Sequence, residues 1–471
     1  MSFEMTSFTP GSLLGPLTVT DLLLDGGAVA RSSNKVIFLD HGVPGDVLMA
    51  RVVQNNKSFC RATVTDFLEQ SSYTVAPWCP SFGKCGGCVW QHIDPAVLLA
   101  WKERQVKETL SRVGGVTVQV EQVRPSPHNT RFRTRVAYAF GLSESGPALG
   151  LRARTSHLII PVKECGLQPD SALILEQLRS ILLENAQLPV WDDSNGYLRF
   201  AVFHTPYFTG TSGEFSGPQR FLELIVGPET TAGMHSKTAD ALRFLLDTNV
   251  ITGFALCLRK AKASVAQGEK ILCSGGRTQL VELYEAIGID NPLLFPFQAF
   301  MQTNTNVTDL LLEAMQEQVT VPPEAVLWDI YCGVGMMGFA LARKDSTLFG
   351  ADLQKDAIKL ARVNCKRLGL EKGTFVDGPL AKSLHKAPDN PDIIIVDPPR
   401  TGIEDCVVAK LCSLKRGTLL YISCDIATQA RDIKKLCVGP DAAWRVVKTI
   451  PFDMFPGTPH IENLVVLEYG S

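Results

Sequence analysis

The sequence predicts a multi-domain α/β protein with an N-terminal OB-like β-barrel, a central α+β domain and a C-terminal, doubly wound Rossmann-like domain. Three observations predict this organisation. Short β-type runs fill the first 70 residues, extended and helical segments mix in the middle, and strand and helix patterns alternate from about residue 292 onward. With 471 residues and 45% hydrophobic content, the chain can form several packed cores.

The predicted β-barrel occupies residues 1–73. Three β-type runs are separated by turn signals rich in glycine, proline and asparagine: Val36–Leu39, Val47–Val53 and Arg61–Phe67. A loop rich in cysteine and glycine follows at Cys79–His92. Apolar residues at helical spacing then predict an amphipathic helix over Pro95–Val113, which ends at two glycines.

The rest of the chain divides into two predicted domains. The central domain comprises residues 74–92 and 126–290, with extended segments at Arg135–Phe140 and Phe221–Val226 and helices at Ser171–Leu183 and Lys237–Asp247. The C-terminal domain comprises residues 93–125 and 291–471. Its alternation is carried by Val326–Ile330, Met337–Arg343, Leu348–Ala351 and Lys355–Leu368, in the order strand, helix, strand, helix.

Composition favours a cytoplasmic protein without a membrane segment, and because no obligate protein partner is implied, a monomer is expected. No run reaches the roughly 18 apolar residues of a membrane span, and the N-terminus lacks the features of a signal peptide. Thirteen cysteines, an odd number, favour reduced thiols or metal ligands over a disulfide framework. The net charge of −2 requires any polyanion to bind a local patch, and the basic segment Lys102–Arg135 is a candidate. The alternative is an ordinary solvated face.

Cys424 is a candidate nucleophile. It follows the apolar strand Leu419–Ile422, and Asp397-Pro398-Pro399-Arg400 follows another, Ile393–Val396. In an open α/β sheet, ligands bind beyond the carboxyl ends of the strands, so both loops are expected at a binding edge. The alternative is that Cys424 is a small buried apolar residue.

A glycine-rich turn predicts a nucleotide-type ligand at the same edge. Gly333 and Gly335 follow the strand that contains Asp329, and the next strand ends at Asp352, which could accept hydrogen bonds from ribose hydroxyls. Together with Asp397, this pattern resembles the S-adenosylmethionine-dependent methyltransferases. The alternative is a dinucleotide-binding fold, since a phosphate cradle uses similar glycines.

A thiol is required when the atom to be methylated is a poor nucleophile. Addition of a thiolate to carbon 6 of uracil makes carbon 5 able to attack a methyl donor, and a base must then remove the proton from carbon 5. Glu462, which precedes the apolar strand Leu464–Leu467, is a candidate for this base. An isolated glutamate is more often a surface residue.

The chain resembles the RNA 5-methyluridine (uracil-5-) methyltransferase family along almost its whole length. The motifs that carry the resemblance are Phe300-Met301-Gln302-Thr303-Asn304, Asp397-Pro398-Pro399-Arg400, Ser423-Cys424, and Asp453, Phe455-Pro456, Thr458, His460 and Glu462. The resemblance implies Cys424 as nucleophile and Glu462 as general base. It implies an S-adenosylmethionine site lined by Gln302, Tyr331, Met336, Asp352 and Asp397. It also implies that the N-terminal barrel is a TRAM domain, an RNA-binding attachment.

Three residues depart from the family pattern. Asp425 replaces the usual asparagine after the cysteine, and the substitution is expected to alter the charge beside the thiolate. Pro379 stands where many members have a cofactor-contacting asparagine or aspartate, so that contact is expected to be lost. Thr74 replaces a frequent arginine, which weakens one inferred backbone or RNA contact.

Three cysteines within ten residues predict a metal centre. Cys79, Cys85 and Cys88 are spaced Cys-x5-Cys-x2-Cys, with glycines that let the backbone fold around a bulky group. A fourth ligand is needed, and Cys165 is the best candidate on local similarity. The four resemble the iron-sulfur subgroup of the family, which implies a 4Fe-4S cluster. Structural zinc and unligated thiols are the alternatives.

The sequence therefore predicts an RNA (uracil-5-)-methyltransferase with 23S ribosomal RNA as the favoured substrate. A transfer RNA enzyme of the same family is one alternative. A second is an amino methyltransferase acting on adenine or guanine, in which Cys424 would be incidental. The third is a noncatalytic RNA-binding assembly factor. The target uridine is expected to be flipped out of its stack, because its carbons 5 and 6 are shielded there.

Overall fold

The computed structural model describes residues 8–154, 156–206, 219–263, 265–288, 292–438 and 442–470. The chain forms two compact units. The first comprises Met1–Lys102 and Phe455–His460, and the second comprises Glu103–Met454 and Ile461–Ser471. The predicted division into three sequence domains stays a prediction.

A closed five-stranded barrel forms most of the first unit, as predicted. Its strands are β1 (Leu13–Leu22), β2 (Ala28–Ser32), β3 (Lys35–Leu39), β4 (Val47–Asn55) and β5 (Phe59–Glu69), in the order β1-β2-β3-β5-β4. Strands β3 and β5 pair in parallel, and the other pairs are antiparallel. Alternate residues such as Leu14, Ile37, Leu48 and Cys60 point inward and are fully buried.

The first unit also contains the cysteine-rich loop and the first part of helix α1 (Pro95–Arg112). Trp90 and Trp101 meet edge to face with ring centroids 4.8 Å apart. Lys102, which the sequence assigned to the basic segment, is 1% exposed. Its Nζ donates hydrogen bonds to the carbonyl oxygens of His460 (2.8 Å) and Phe455 (3.4 Å). The assignment of Lys102 to an RNA-binding face is therefore wrong, because its ammonium group is buried and hydrogen-bonded inside the unit.

The second unit begins with a seven-stranded sheet in the order β12-β11-β10-β9-β6-β7-β8. Its strands are β6 (Arg135–Ser143), β7 (Gly146–Arg152), β8 (Ile159–Pro161), β9 (Leu198–His204), β10 (Phe221–Val226), β11 (Gly253–Leu258) and β12 (Lys270–Gly276). Helices α2 (Ser171–Leu178) and α3 (Met234–Asp247) contribute side chains to the apolar core on one face of this sheet. Helix α2 is shorter than predicted, because a π-helical segment over Arg179–Asn185 follows it. The central region is thus α+β, as expected.

A short hairpin, β13 (Gln279–Glu282) and β14 (Leu293–Pro296), leads into a second seven-stranded sheet in the order β17-β16-β15-β18-β19-β21-β20. Its strands are β15 (Val326–Ile330), β16 (Thr347–Asp352), β17 (Gly373–Asp377), β18 (Ile393–Val396), β19 (Thr418–Ser423), β20 (Trp444–Phe452) and β21 (Glu462–Tyr469). Its helices are α4 (Thr305–Gln318), α5 (Met336–Leu341), α6 (Lys355–Arg367), α7 (Leu380–Ser383), α8 (Asp405–Ser413) and α9 (Ile426–Cys437).

This second sheet is the doubly wound sheet that the sequence predicts. Strands β15 to β19 are parallel, and β21 runs antiparallel to both of its neighbours. The strand order reverses between β15 and β18, which makes their carboxyl ends the expected ligand-binding position.

No helix in the described ranges is long and apolar enough to cross a membrane.

Candidate active site

Five predicted site residues lie at the carboxyl edge of the second sheet: Tyr331, Asp352, Asp397, Cys424 and Glu462. Ile330 at the end of β15 pairs with Ala351 of β16 and with Val396 of β18. Tyr331, Asp352 and Asp397 therefore start or immediately precede neighbouring loops on one edge. Val396 also pairs with Tyr421 of β19, three residues before Cys424. The register brings these loops together, as the sequence predicted.

The antiparallel pairing of β19 and β21 brings Cys424 to Glu462. Ser423, the last residue of β19, is the register partner of Asn463, so Cys424, which follows β19, adjoins Glu462, the first residue of β21. Glu462 also pairs with Phe452 of β20, which fixes its backbone from the other side. Two residues that are 38 positions apart in the sequence are thus neighbours at one sheet edge.

Cys424 is half-buried, and its sulfur accepts a hydrogen bond from the Arg400 side chain. Burial and the nearby Glu462 carboxylate raise the pKa of this thiol to about 11, and Asp397 acts in the same direction. The Arg400 guanidinium opposes them and lowers the pKa, because its positive charge favours the thiolate. Arg400 is the group that promotes thiolate formation at this position.

Glu462 is buried, with 2% of its surface exposed, so its alternative assignment as a surface residue is wrong. Burial and the charge of Asp397 raise the pKa of its carboxyl well above the usual range, while Arg400 lowers it. A carboxylate in such surroundings is a stronger base than one in water, because it regains stability by taking a proton.

Three carboxyl groups, those of Asp329, Asp352 and Asp397, converge near the ends of β15, β16 and β18. Burial raises the pKa of Asp329 to about 7, with a further contribution from Asp352. Burial and repulsion by Asp329 and Asp352 also raise the pKa of Asp397. Such a group of acids is electrostatically suited to a ligand that carries positive charge, since a cation would relieve the repulsion.

The glycine-rich turn after β15 leaves room beside these acids. Gly333 adopts a positive φ of 52°, and a Cβ atom at this position would contact nothing within 4 Å. Its amide N–H donates to Asp352 Oδ2 at 3.0 Å, and the Gln354 amide donates to Oδ1 at 2.7 Å. Asp352 is therefore held in one orientation at the rim of open space.

Tyr331 and Met336 flank this turn. Tyr331 has a left-handed backbone (φ 66°), which is strained for a non-glycine residue and typical of functional turns. Its hydroxyl accepts a hydrogen bond from the Glu404 amide at 3.1 Å, so its ring is tied to the loop after Asp397. Met336 is the first residue of α5 and is buried.

Gln302 lies in a segment held at its far end by Asn304. Asn304 caps helix α4 by accepting from the Val307 amide, and it donates at 3.1 Å to both Ser126 Oγ and the Met454 carbonyl. Gln302 is 6% exposed. The role of Asn304 as an anchor was not inferred from the sequence, although its position before an apolar helix is a capping signal.

Asp425, the departure next to Cys424, has a structural role that asparagine would share. Its side chain is the N-cap of α9 and accepts a hydrogen bond from the Thr428 amide at 2.9 Å. Aspartate and asparagine are about equally effective at this position. The exchange therefore preserves the cap.

A buried network, missed by sequence reasoning, supports the loop that carries Arg400. Asp432 of α9 is fully buried and accepts from the Tyr421 hydroxyl at 2.9 Å and the Ile403 amide at 2.8 Å. Arg431 pairs with Asp432 and donates to the Thr401 carbonyl at 2.8 Å. The helix, the strand and the loop are thereby fixed together near the thiol.

The two other departures lie at ordinary backbone positions. Pro379 is the N-cap of α7, with φ −55°. Thr74 forms an isolated antiparallel bridge with Ile93 in the first unit. The loss of contacts expected at these two positions stays a prediction.

Of the four predicted metal ligands, Cys79, Cys85 and Cys88 belong to the first unit and Cys165 to the second. The Gly87 amide donates to the Cys85 sulfur at 3.3 Å, and such N–H···S bonds tune iron-sulfur centres. Within the described ranges, no group of three or more histidine, cysteine, aspartate or glutamate side chains is arranged to hold a metal ion. The cluster stays a prediction.

The remaining basic residues of the predicted RNA-binding segment differ in exposure. Arg104, Lys107 and Arg112 are exposed on α1. Arg124 forms a salt bridge with Glu317 at 2.6 Å. Arg131, beyond the helix, is also exposed and pairs with Asp170 at 3.7 Å, so the exposed members lie mainly but not solely on α1.

Comparison with known proteins identifies the family models and relatives that this chain matches. Residues 387–469 match the family model described as tRNA (Uracil-5-)-methyltransferase, and residues 300–411 match the methyltransferase small domain. A Nitratidesulfovibrio vulgaris protein described as an uncharacterized RNA methyltransferase is 32% identical over 98% of this chain and 97% of its own length. A Nostoc protein with the same description is 28% identical over 95% of this chain and 94% of its own.

The chain belongs to the RNA (uracil-5-)-methyltransferase family. A solved structure agrees: Pyrococcus abyssi tRNA (uracil-54, C5)-methyltransferase in complex with S-adenosyl-L-homocysteine is 25% identical. The similarity covers 96% of this chain and 99% of that chain, with a TM-score of 0.74. Family membership therefore applies to the whole chain and not only to the methyltransferase sheet.

Proposed function

We propose that this protein methylates carbon 5 of a uridine in RNA with S-adenosylmethionine, through a covalent adduct between Cys424 and carbon 6. The observation that supports this most directly is the pairing of β19 with β21, in which Cys424 adjoins the buried Glu462. A thiol beside a buried carboxyl group provides the nucleophile and the base that carbon methylation of uracil requires.

In the proposed reaction, the Cys424 thiolate adds to carbon 6 and the electron pair of the 5,6 double bond moves onto carbon 5 and oxygen 4. S-adenosylmethionine supplies the methyl group that carbon 5 takes up. Glu462 removes the proton from carbon 5, the double bond re-forms, and Cys424 leaves as thiolate. Arg400 favours the thiolate before addition and after release, because its charge lowers the thiol pKa.

The proposed cofactor site is lined by Gln302, Tyr331, Met336, Asp352 and Asp397. The open space beside Gly333 and the orientation of Asp352 support it, since a ribose hydroxyl could donate to this carboxylate. The acids at Asp329 and Asp397 suit the positively charged sulfonium and amino groups of S-adenosylmethionine.

The mechanism is tested with RNA containing 5-fluorouridine, whose fluorine cannot be removed as a proton and therefore traps the adduct. Cys424→Ala should abolish both methyl transfer and the trapped complex, because no sulfur can add to carbon 6. Cys437→Ala on α9 is the matched control and should retain both. Undiminished turnover in Cys424→Ala would overturn the mechanism, and methyl groups found on adenine or guanine would identify an amino methyltransferase instead.

Glu462→Gln separates the base from the nucleophile. The variant should form the adduct with ordinary uridine RNA but release methylated product slowly, so that a covalent complex accumulates on a denaturing gel. Rapid turnover without accumulation would remove Glu462 from the role of base. Cofactor binding by the wild-type protein without methyl transfer to any RNA would favour the noncatalytic alternative.

We propose 23S ribosomal RNA as the substrate, on the combination of an N-terminal barrel and the cysteine-rich loop. Transfer RNA is the second candidate, because the P. abyssi protein with the similar fold is a tRNA enzyme. Mapping of 5-methyluridine in both RNAs from a strain lacking this protein distinguishes them. Loss of a methyl group from transfer RNA alone would exclude the ribosomal assignment.

We also propose that Cys79, Cys85, Cys88 and Cys165 bind a 4Fe-4S cluster with a structural or RNA-shaping role. The spacing of the first three and the N–H···S bond to Cys85 support this proposal. Protein purified without oxygen should contain iron and sulfide and should absorb light at about 400 nm, as iron-thiolate centres do. Cys85→Ser should lose this absorbance and Cys60→Ser, in the barrel core, should keep it. Stoichiometric zinc without the chromophore would favour the zinc alternative.

A further inference from the structure

A buried carboxylate lies in the sheet of the second unit, away from the proposed chemistry. Glu223 on β10 is 2% exposed. Its neighbours Leu222 and Leu224 belong to the core that α2 and α3 cover. Because side chains alternate along a strand, Glu223 points to the opposite face. That face also carries Arg135, whose charge attracts the Glu223 carboxylate.

Glu223 binds two chain segments that cover this face. Its Oε1 accepts hydrogen bonds from Gln298 Nε2 and from the Gly268 amide, both at 3.4 Å. The Cys257 thiol on β11 also donates a hydrogen bond to the Glu223 carboxylate. Gln298 Nε2 in turn donates to the Cys257 sulfur at 3.7 Å. One buried acid thus connects β10, β11, the loop before β12 and the chain around residue 298.

Gln298 is the second residue of the segment 297–304, which contains Gln302. The segment starts on the central sheet, where Phe297 stacks on Phe221 with ring centroids 4.8 Å apart. It ends where the Thr134 amide donates to the Thr303 carbonyl at 2.8 Å. Both ends are fixed, so the position of Gln302 depends on how firmly each end is held.

We propose that Glu223 and Gln298 are positioning residues that set the segment 297–304, and with it Gln302, for cofactor binding. The inference rests on the proposed function only through the role of Gln302 at the cofactor. Neither residue touches the reacting atoms. Glu223 supplies a fixed acceptor on the rigid sheet, and Gln298 transfers that position to the segment.

Gln298→Met tests the proposal, since methionine keeps the length of the side chain and removes the donor. S-adenosylhomocysteine should bind about tenfold more weakly, the effect of leaving a buried acceptor without one partner. The KM for S-adenosylmethionine should rise by a similar factor while kcat changes less than about twofold. Glu223→Gln keeps the side-chain shape but replaces a charged acceptor with a neutral one, which binds Gln298 more weakly, so we expect a smaller loss of affinity in the same direction.

Gln219→Met is the matched control. Gln219 lies two residues before β10 and exchanges hydrogen bonds of 2.7 and 2.8 Å with the backbone of Val281, so it holds β13. Gln219→Met should lower the stability of the protein without weakening its binding of S-adenosylhomocysteine. Unchanged affinity in folded Gln298→Met, or an equal loss in Gln219→Met, would overturn the inference. Calorimetric binding needs no RNA, so a wild-type protein that binds S-adenosylhomocysteine but methylates no RNA would refute the proposed function alone.

Discussion

Replacement of Arg400 by methionine tests whether its charge activates the Cys424 thiol. In the wild-type protein the pKa of this thiol is about 11, so the thiolate fraction at pH 8 is on the order of one in a thousand. Arg400 lowers that pKa by its charge and by its hydrogen bond to the sulfur. Its removal should therefore raise the pKa and reduce the amount of reactive thiolate.

The magnitude follows from the exposure of Arg400. A hydrogen bond to a charged group contributes about 1.5–3 kcal/mol when it is shielded from water, and Arg400 is exposed, so we take about 1.4 kcal/mol. This corresponds to about a tenfold lower thiolate fraction. Arg400→Met should trap 5-fluorouridine RNA about tenfold more slowly at pH 8 with RNA and cofactor saturating.

The pH profile supplies the refutation. Both proteins should react faster as the pH rises from 7 to 9.5, because both thiol pKa values lie above this range. The tenfold deficit should persist across it. Arg416→Met is the control, since Arg416 is also exposed but pairs with Asp392 at the amino ends of the strands. Equal trapping rates for Arg400→Met and the control would refute the activating role of Arg400.

Three further substitutions test the supports of the site. Asp329→Asn keeps an acceptor for the Gly338 amide. Because the pKa of Asp329 in the folded protein is raised to about 7, the unfolding free energy of the wild-type protein should fall relative to that of the variant between pH 4 and 7, by up to about 4 kcal/mol. Above pH 7 the difference in unfolding free energy between the two proteins should stay constant. A constant gap in urea titrations at pH 4.5 and 8 would contradict this. Asp425→Asn should change stability by less than about 0.5 kcal/mol, whereas Asp425→Ala should cost about 1 kcal/mol by loss of the α9 cap; equal melting temperatures for the two variants would contradict the cap. Asn304→Ala should cost about 2–3 kcal/mol, because it removes a cap and leaves buried partners unbonded.

The sequence predicted the strands that position the site, and physical reasons explain this success. Buried parallel strands are short apolar runs, and Ile393–Val396 and Leu419–Ile422 occur as predicted within strands of the sheet. The helix predicted over Ser171–Leu183 instead changes to π-helical geometry at Arg179. Periodicity indicates which face is apolar, and it is less informative about the hydrogen-bonding pattern of the last turns.

The contacts across long sequence distances could not be predicted from the sequence. A run of basic residues does not show which of them fold inward, and Lys102 is buried although its neighbour Arg104 is exposed. The bond of Tyr421 to Asp432 and that of Gln298 to Glu223 depend on the packing of separate elements. Such pairs become visible only when the register and the loop paths are known.

Cys424 and Glu462 are best understood as a pair that does not hold two negative charges at once. Ionised Glu462 raises the pKa of the thiol, so the neutral acid favours addition of the thiolate to carbon 6. After addition the sulfur is a neutral thioether, and repulsion no longer opposes ionisation of Glu462. The carboxylate that must accept the proton from carbon 5 is thus favoured only once the adduct exists. Glu462→Gln should consequently form the adduct at least as fast as the wild-type protein, with an advantage that grows with pH, while its product release is slow. Slower adduct formation at every pH would contradict this order of events.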